Sequence, residues 1–169
     1  AETATLNLSL NSSSPKKTDL VATAGASENE MDKLTLAVID FKAEKDNVKI
    51  TDLGISVAKT GSGGANASTT LYLFEGSTEL DSASLVSSGA LGSFFNFTDF
   101  DYVILKNTTK TLTLKADVRS ANGIVANFVA STTATSVTDE NVKGESVTTS
   151  GSATGYQIGI RNVGPEITL

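Results

Sequence analysis

Between Val48 and Leu80 the chain alternates twice between apolar and polar positions. The first run, VKITDLGISVAKT, places Val48, Ile50, Leu53, Ile55 and Val57 on one side, with a slip of phase near Thr51 and Asp52. A loop of Gly, Ser, Ala and Asn follows, from Gly61 to Gly64 and on to Ser68. The second run, TTLYLFEGSTEL, turns Leu71 and Leu73 one way and Tyr72 and Phe74 the other. Successive side chains of a strand point to opposite faces, so this alternation predicts a pair of half-buried strands. The same pattern recurs along the chain. In ETATLNLSL, Ala4, Leu6, Leu8 and Leu10 share a face opposite Thr3, Thr5, Asn7 and Ser9. In Lys33 to Ala43, Leu34, Leu36 and Val38 hold one phase and Ile39 and Phe41 the other, which predicts a bulge.

Further strands are expected at Leu20–Ala24, Thr78–Val86, Ala90–Phe97 and Tyr102–Leu105, with a polar loop over Gly25–Asp32. KTLTLKADVR, from Lys110 to Arg119, alternates throughout, and Asn122-Gly123 is a strong turn signal. With Ile124–Ala130 it predicts a hairpin. Thr132 to Gly155 carries few apolar residues and is expected to form short edge strands and loops. Tyr156–Asn162 and Glu166–Leu169 read as extended, broken by Gly164-Pro165. About ten short strands without a helical period indicate an all-β, antiparallel β-sandwich. The expected division is a single domain over 1–163 and a C-terminal strand or linker over 164–169.

Composition narrows the chemistry. The 169 residues contain neither cysteine nor histidine. Disulfides, thiolate catalysis and the usual general base and metal ligand are therefore excluded. The net charge of −6, with scattered lysines, offers nothing to a phosphate backbone. No run approaches the ~20 apolar residues of a membrane helix. Ala1-Glu2-Thr3 is what cleavage at an A-x-A site leaves, so an extracellular or cell-surface location is expected.

The remaining acid/base groups are carboxylates. Glu75, Glu79 and Asp81 surround Gly76, but nothing places a pair of them in an apolar cleft, so the chain reads as no enzyme. Asp99, Asp101 and Asp139, in turn-rich segments, are candidate ligands for calcium, which seeks carboxylate and carbonyl oxygens. No other cofactor is expected. Of five N-x-S/T triplets, those at Asn66 and Asn107 fall in expected loops and are the better glycan acceptors. Tyr72, Phe74, Phe94, Phe95 and Phe97 could stack on a sugar or could be core. Gly61–Gly64 lacks the spacing of a phosphate loop. No local spacing identifies the Lys, Asn and acid of an isopeptide crosslink.

The segments VKITDLGISVAKTGSGG, TTLYLFEGSTEL, FNFTDF and KNTTKTLTLKADV resemble a repeated all-β domain of large bacterial cell-surface proteins, notably of uncultivated lineages. The resemblance covers about Leu34 to Ala130 and is one of strand order rather than of chemical signature. It implies an Ig-like sandwich outside the cell, often in tandem. In such arrays a segment like Gly164–Leu169 begins the following domain. Two readings stay open for the terminal strands. Both close one sandwich as edge strands, or one is donated to a neighbouring subunit. Donation would place Thr3, Thr5, Leu6, Leu8, Leu10, Pro165, Ile167 and Leu169 at a subunit interface. The expected function is a structural subunit of a homo-polymeric filament or surface layer. The alternative is an adhesin or glycan-binding module on a larger protein.

Overall fold

The computed structural model describes residues 2–21, 23–24, 29–61, 68–89, 92–118 and 125–161. Asn66, the Asn122-Gly123 turn, Ser62–Gly64 and the segment with Pro165, Ile167 and Leu169 lie outside the described residues. The described chain is all-β. Its strands are β1 (Thr5–Leu10), β2 (Thr18–Val21), β3 (Thr23–Ala24), β4 (Asn29–Glu44), β5 (Val48–Thr60), β6 (Ser68–Glu75) and β7 (Thr78–Gly89). They continue with β8 (Gly92–Phe97), β9 (Tyr102–Ile104), β10 (Thr109–Val118), β11 (Val125–Thr133), β12 (Val137–Asn141), β13 (Thr148–Thr154) and β14 (Ile158–Arg161). A 3₁₀ turn at Ala134–Ser136 separates β11 from β12.

The alternation seen in the sequence sets the inner faces. Val48, Ile50, Leu53, Ile55 and Val57 of β5 have no solvent exposure. The phase slip is a bulge. β12 pairs Thr138 with Asp52 and then Asp139 with Ile50, so Thr51 has no opposite number. Leu112, Leu114, Ala116 and Val118 of β10 face the same core, as do Leu6, Leu8, Phe41, Phe95, Phe97 and Phe128. The bulge of β4 falls at Leu36, where Leu114 pairs with Ala37 and Lys115 with Thr35.

Two layers enclose this core. One holds β6, β10, β4 and β1 in that order, and the other holds β8, β5, β11, β14 and β2. Two strands belong to both. β7 pairs with β6 over Thr78–Ser84 and with β8 from Leu85 onward. β13 pairs with β1 over Thr148–Gly151 and with β11 over Ser152–Thr154. Because β5 also pairs with β11, the hydrogen-bonded path returns to its start. Closure of this kind satisfies strand edges that an open sandwich would leave to solvent. Pairing is antiparallel except for β1 with β13 and β2 with β14, which are parallel.

β5 is flanked on both sides by interrupted strands. On one side β8 covers Leu53–Val57 and β9 covers Val48–Ile50. Between them the Phe100 N–H donates to the Thr51 carbonyl at 2.8 Å. On the other side β11 and β12 follow one another past the 3₁₀ turn. There the buried Thr132 hydroxyl donates to the Gly54 carbonyl at 2.9 Å, in place of a ladder bond. Gly54 leaves room for Phe94, whose ring carbon would lie 2.8 Å from an added Cβ.

Four expectations are corrected. β10 and β11 do not form a hairpin, because β10 pairs with β4 and β6 in one layer and β11 pairs in the other. Both have one apolar face, and partners in either layer satisfy that pattern equally. β13 is an interior strand despite its few apolar residues, because Gly151 and Ser152 take it from one layer to the other. β1 is interior too, between β4 and β13. Residues 29–32, expected in a loop, extend β4, where Asn29 and Glu30 pair with β3 and Met31 with Val118.

Asp139 shows the cost of one polar group in this frame. Its carboxylate accepts the Thr149 hydroxyl of β13. Burial raises its pKa above the ordinary aspartate value, partly opposed by that hydrogen bond. A carboxyl with a raised folded pKa favours the fold below the unfolded pKa, and that advantage is lost as pH rises through the folded value.

Gly151 has φ +86°, and an added Cβ would sit 2.2 Å from the Leu8 carbonyl oxygen. Gly151→Ala is expected to cost on the order of 3 kcal/mol in urea unfolding. Gly76, with φ +60° and no atom within 4 Å of an added Cβ, serves as the control. Gly76→Ala should cost only about 1 kcal/mol. Asp139→Asn should stabilise the chain at pH 7. The gain over the parent should vanish on titration below the unfolded aspartate pKa, as read from urea midpoints across pH.

Candidate functional site

The site with the most structure behind it is the setting of β1. Leu6 and Leu8 point into the core and are 0% and 2% exposed, while Leu10 packs against its margin. Thr5, Asn7 and Ser9 lie on the outer face, where Asn7 Nδ2 donates to Ser150 Oγ at 3.1 Å. On the β4 side the ladder runs from Thr5 opposite Glu44 to Leu10 opposite Ile39. Past Leu10 the chain stays attached to β4. Asn11 N–H and Ser14 Oγ both donate to the Val38 carbonyl at 2.9 Å, and Asn11 Nδ2 reaches both Asp40 carboxylate oxygens at 2.9 Å.

At the start of β1 lies an open groove of about 310 Å³, lined by Glu2, Thr3, Ala4, Asn141, Glu145 and Ser146. Its far wall is a turn organised by Asn141. The Asn141 side-chain oxygen accepts the Lys143 and Glu145 N–H groups at 2.9 and 2.8 Å, and its amide donates to Glu145 Oε2 at 2.7 Å. This is the Asx-type bonding that favours Asn in turns. The near wall of the groove is Glu2, Thr3 and Ala4, the chain leading into β1.

The carboxylates of the sequence reading go to separate places. Asp99 and Asp101 flank Phe100 in the break between β8 and β9, with left-handed φ values of 53° and 46°. Phe100 stacks on Tyr102 with ring centroids 5.2 Å apart. Asp101 lies 3.6 Å from Lys49 Nζ, and Glu140 lies 2.6 Å from it. Hydrogen bonding to Glu140 raises the Lys49 pKa, desolvation opposes it, and the nearby Asp101 charge adds to the rise. Asp139, adjacent to Glu140 on a strand, turns to the opposite side and meets Thr149. Asp99, Asp101 and Asp139 are therefore not brought together. Among the described residues no group of three or more acidic side chains is arranged to hold a metal ion. The ammonium of Lys49 is the cation between Asp101 and Glu140. It was legible as an outward position between inward Val48 and Ile50.

Around Gly76, Glu75 pairs with Lys110 at 2.6 Å and Glu79 with Lys33 at 2.8 Å, while Asp81 Oδ1 accepts the Ser82 N–H at 2.7 Å. The Lys110 hydrogen bond holds the Glu75 carboxyl below its usual range. The aromatic residues also separate. Phe95 and Phe97 are core, and Phe94 crosses Gly54 on the outer face. Tyr72 and Phe74 lie on the outer face of the other layer beneath lysines. Lys33 Nζ is 3.0 Å from the Tyr72 ring centroid and Lys115 Nζ is 4.3 Å from that of Phe74. The buried Asp117 carboxylate accepts Tyr72 Oη at 2.7 Å and the Lys33 N–H at 2.9 Å, pinning this cluster to the irregular end of β4. Asn107 is exposed at the β9–β10 turn, with φ 59° and its N–H on the Ala43 carbonyl at 2.8 Å.

Among the described residues no helix is long and apolar enough to cross a membrane. No family model matches the chain, and no curated protein matches it. Solved structures do match at low identity. A type I cohesin, the seventh of ScaB from Pseudobacteroides cellulosolvens, is 11% identical with a TM-score of 0.38, covering 98% of this chain and 97% of that one. AvmM, described as catalysing macrocyclization in alchivemycin A biosynthesis, is 8% identical with a TM-score of 0.38, covering 100% and 94%. The RrgB pilus protein of Streptococcus pneumoniae is 10% identical with a TM-score of 0.33, covering 76% of this chain and 22% of that one.

Proposed function

We propose that the chain is a non-catalytic structural module of an extracellular assembly, joined to its neighbours through β1. The carrying observation is the setting of β1. It is a single strand with β4 on one side, β13 on the other and two leucines in the core. Removing such a strand opens two rows of backbone donors and acceptors and an apolar trench. An equivalent strand from a neighbouring copy restores both, and main-chain bonds with alternate side-chain pockets are the usual currency of strand addition. Exchange that does not close on itself builds a filament. Thr3 and Thr5 would then lie at the entrance, Leu6 and Leu8 in the trench and Leu10 at its end. Pro165, Ile167 and Leu169 are the second candidate strand of the same joint.

The test is electron microscopy with light scattering on three chains at near-neutral pH: the full chain, one lacking Glu2–Leu10 and one lacking Pro165–Leu169. Regular polymers of the full chain, lost in one deletion, are the expected outcome. For the first deletion, adding the free peptide ETATLNLSL should restore the fold, whereas a peptide carrying Leu6→Asp and Leu8→Asp should not. Polymers unchanged in both deletions, or a full chain that stays monomeric at all concentrations, would refute the joint.

A further inference from the structure

β13 and β14 form a single track along β11. Ser131 pairs with Thr154, the Gly155 N–H donates to the Ala130 carbonyl at 2.8 Å, and pairing resumes from Phe128 with Ile158 to Val125 with Arg161. The first strands of the chain run parallel to this track along its other side. Thr5–Leu8 match Thr148–Gly151, and Thr18–Val21 match Ile158–Arg161. Backbone bonds at both stations are explicit: the Thr148 N–H donates to the Ala4 carbonyl at 2.9 Å, and the Thr18 N–H to the Gln157 carbonyl at 3.2 Å. Side chains fasten the same seam. Asn7 bonds Ser150 at 3.1 Å, Lys16 Nζ stands 4.6 Å over the Tyr156 ring, and Arg161 pairs with Asp19 at 2.8 Å. Arg161 also donates twice to Asn127 Oδ1 at 3.1 Å, which ties the seam to β11.

From this geometry we infer that the arm Thr5–Val21 is a tension clamp. Thr5 lies at the Thr148 end of the track and Val21 at its Arg161 end. A pull on Glu2 drives the arm toward the Thr148 end. A pull entering β14 from beyond Arg161 drives the track the opposite way. The two slide past one another, so the rungs at both stations are strained together and must fail together. The β1–β4 pair is arranged differently. It is antiparallel with Thr5 opposite Glu44, so Glu2 and Lys45 lie at the same end. Pulling those two apart opens the rungs one after another. The clamp goes beyond the proposed joint and does not depend on strand exchange, since it acts within one chain.

The chain has no cysteine, so introduced thiols give unique handles. Single-molecule force spectroscopy would compare Glu2→Cys/Leu169→Cys with Glu2→Cys/Lys45→Cys on isolated monomers at equal loading rate. Glu2 and Lys45 are exposed. Equal urea midpoints for the two variants would establish that both carry the same fold. The expected result is a severalfold higher unfolding force through Glu2 and Leu169 than through Glu2 and Lys45. A ratio under about two would overturn the clamp, because rungs loaded in shear share the force whereas rungs opened in turn bear it singly. A failed clamp in monomers leaves the polymer test untouched, and a failed polymer test leaves the clamp untouched.

Discussion

The two-sided hydrogen bonding of β5 is the constraint on which the other elements depend. A strand buried on one face must find partners for every N–H and C=O along both edges. β5 is thirteen residues long, longer than any of its neighbours in that layer. Each edge is therefore covered by two strands in succession, β8 and β9 on one side, β11 and β12 on the other. The breaks in those pairs are filled by local devices. Phe100 offers its N–H to Thr51, and Thr132 offers its hydroxyl to Gly54. The two left-handed aspartates turn the chain through the first of these breaks.

Closure of the layers follows from strands that change partner partway. β7 and β13 each spend part of their length in one layer and part in the other. β13 makes the change at Gly151, where the backbone passes too close to Leu8 for any side chain. The outer faces then carry short-range charge pairing. Lys33, Lys49 and Lys110 each hold an acidic partner, and lysine ammonium groups stand over Tyr72 and Phe74.

How much of this is legible in the sequence depends on whether the signal is local. The inward face of β5, its slip at Thr51 and the inward leucines of β1 and β10 can be read because strand period is a property of neighbouring residues. Partner identity is not. Asn122-Gly123 between two alternating runs says that the chain turns, and nothing in it says which layer the second run joins. β13 reads as an edge because Thr148–Thr154 has little apolar content, yet a strand crossing between layers is selected for small residues and a glycine at the crossing. The acidic residues Asp99, Asp101 and Asp139 group by type alone. Strand alternation separates Asp139 from Glu140 and so from Lys49 and Asp101, which only the pairing of β12 with β5 reveals. For the proposed joint at β1, the alternation identifies the side chains, and the structure supplies both neighbours.

The pairing of β1 with β13 also dictates when the fold can exist. Asn7 and Ser150 are 143 positions apart, so the ring closes through contacts between strands far apart in the sequence. Long-range pairing of this kind requires loop closure before any reward and slows folding. During synthesis, β1 can lie against β4 early, but its other edge waits for β13. The ring runs from Thr5 of β1 to Thr154 of β13, so no stretch lacking either strand contains it. Loss of β1 or of β13 therefore removes a closure rather than a margin, and the order in which strands emerge limits when the ring can form.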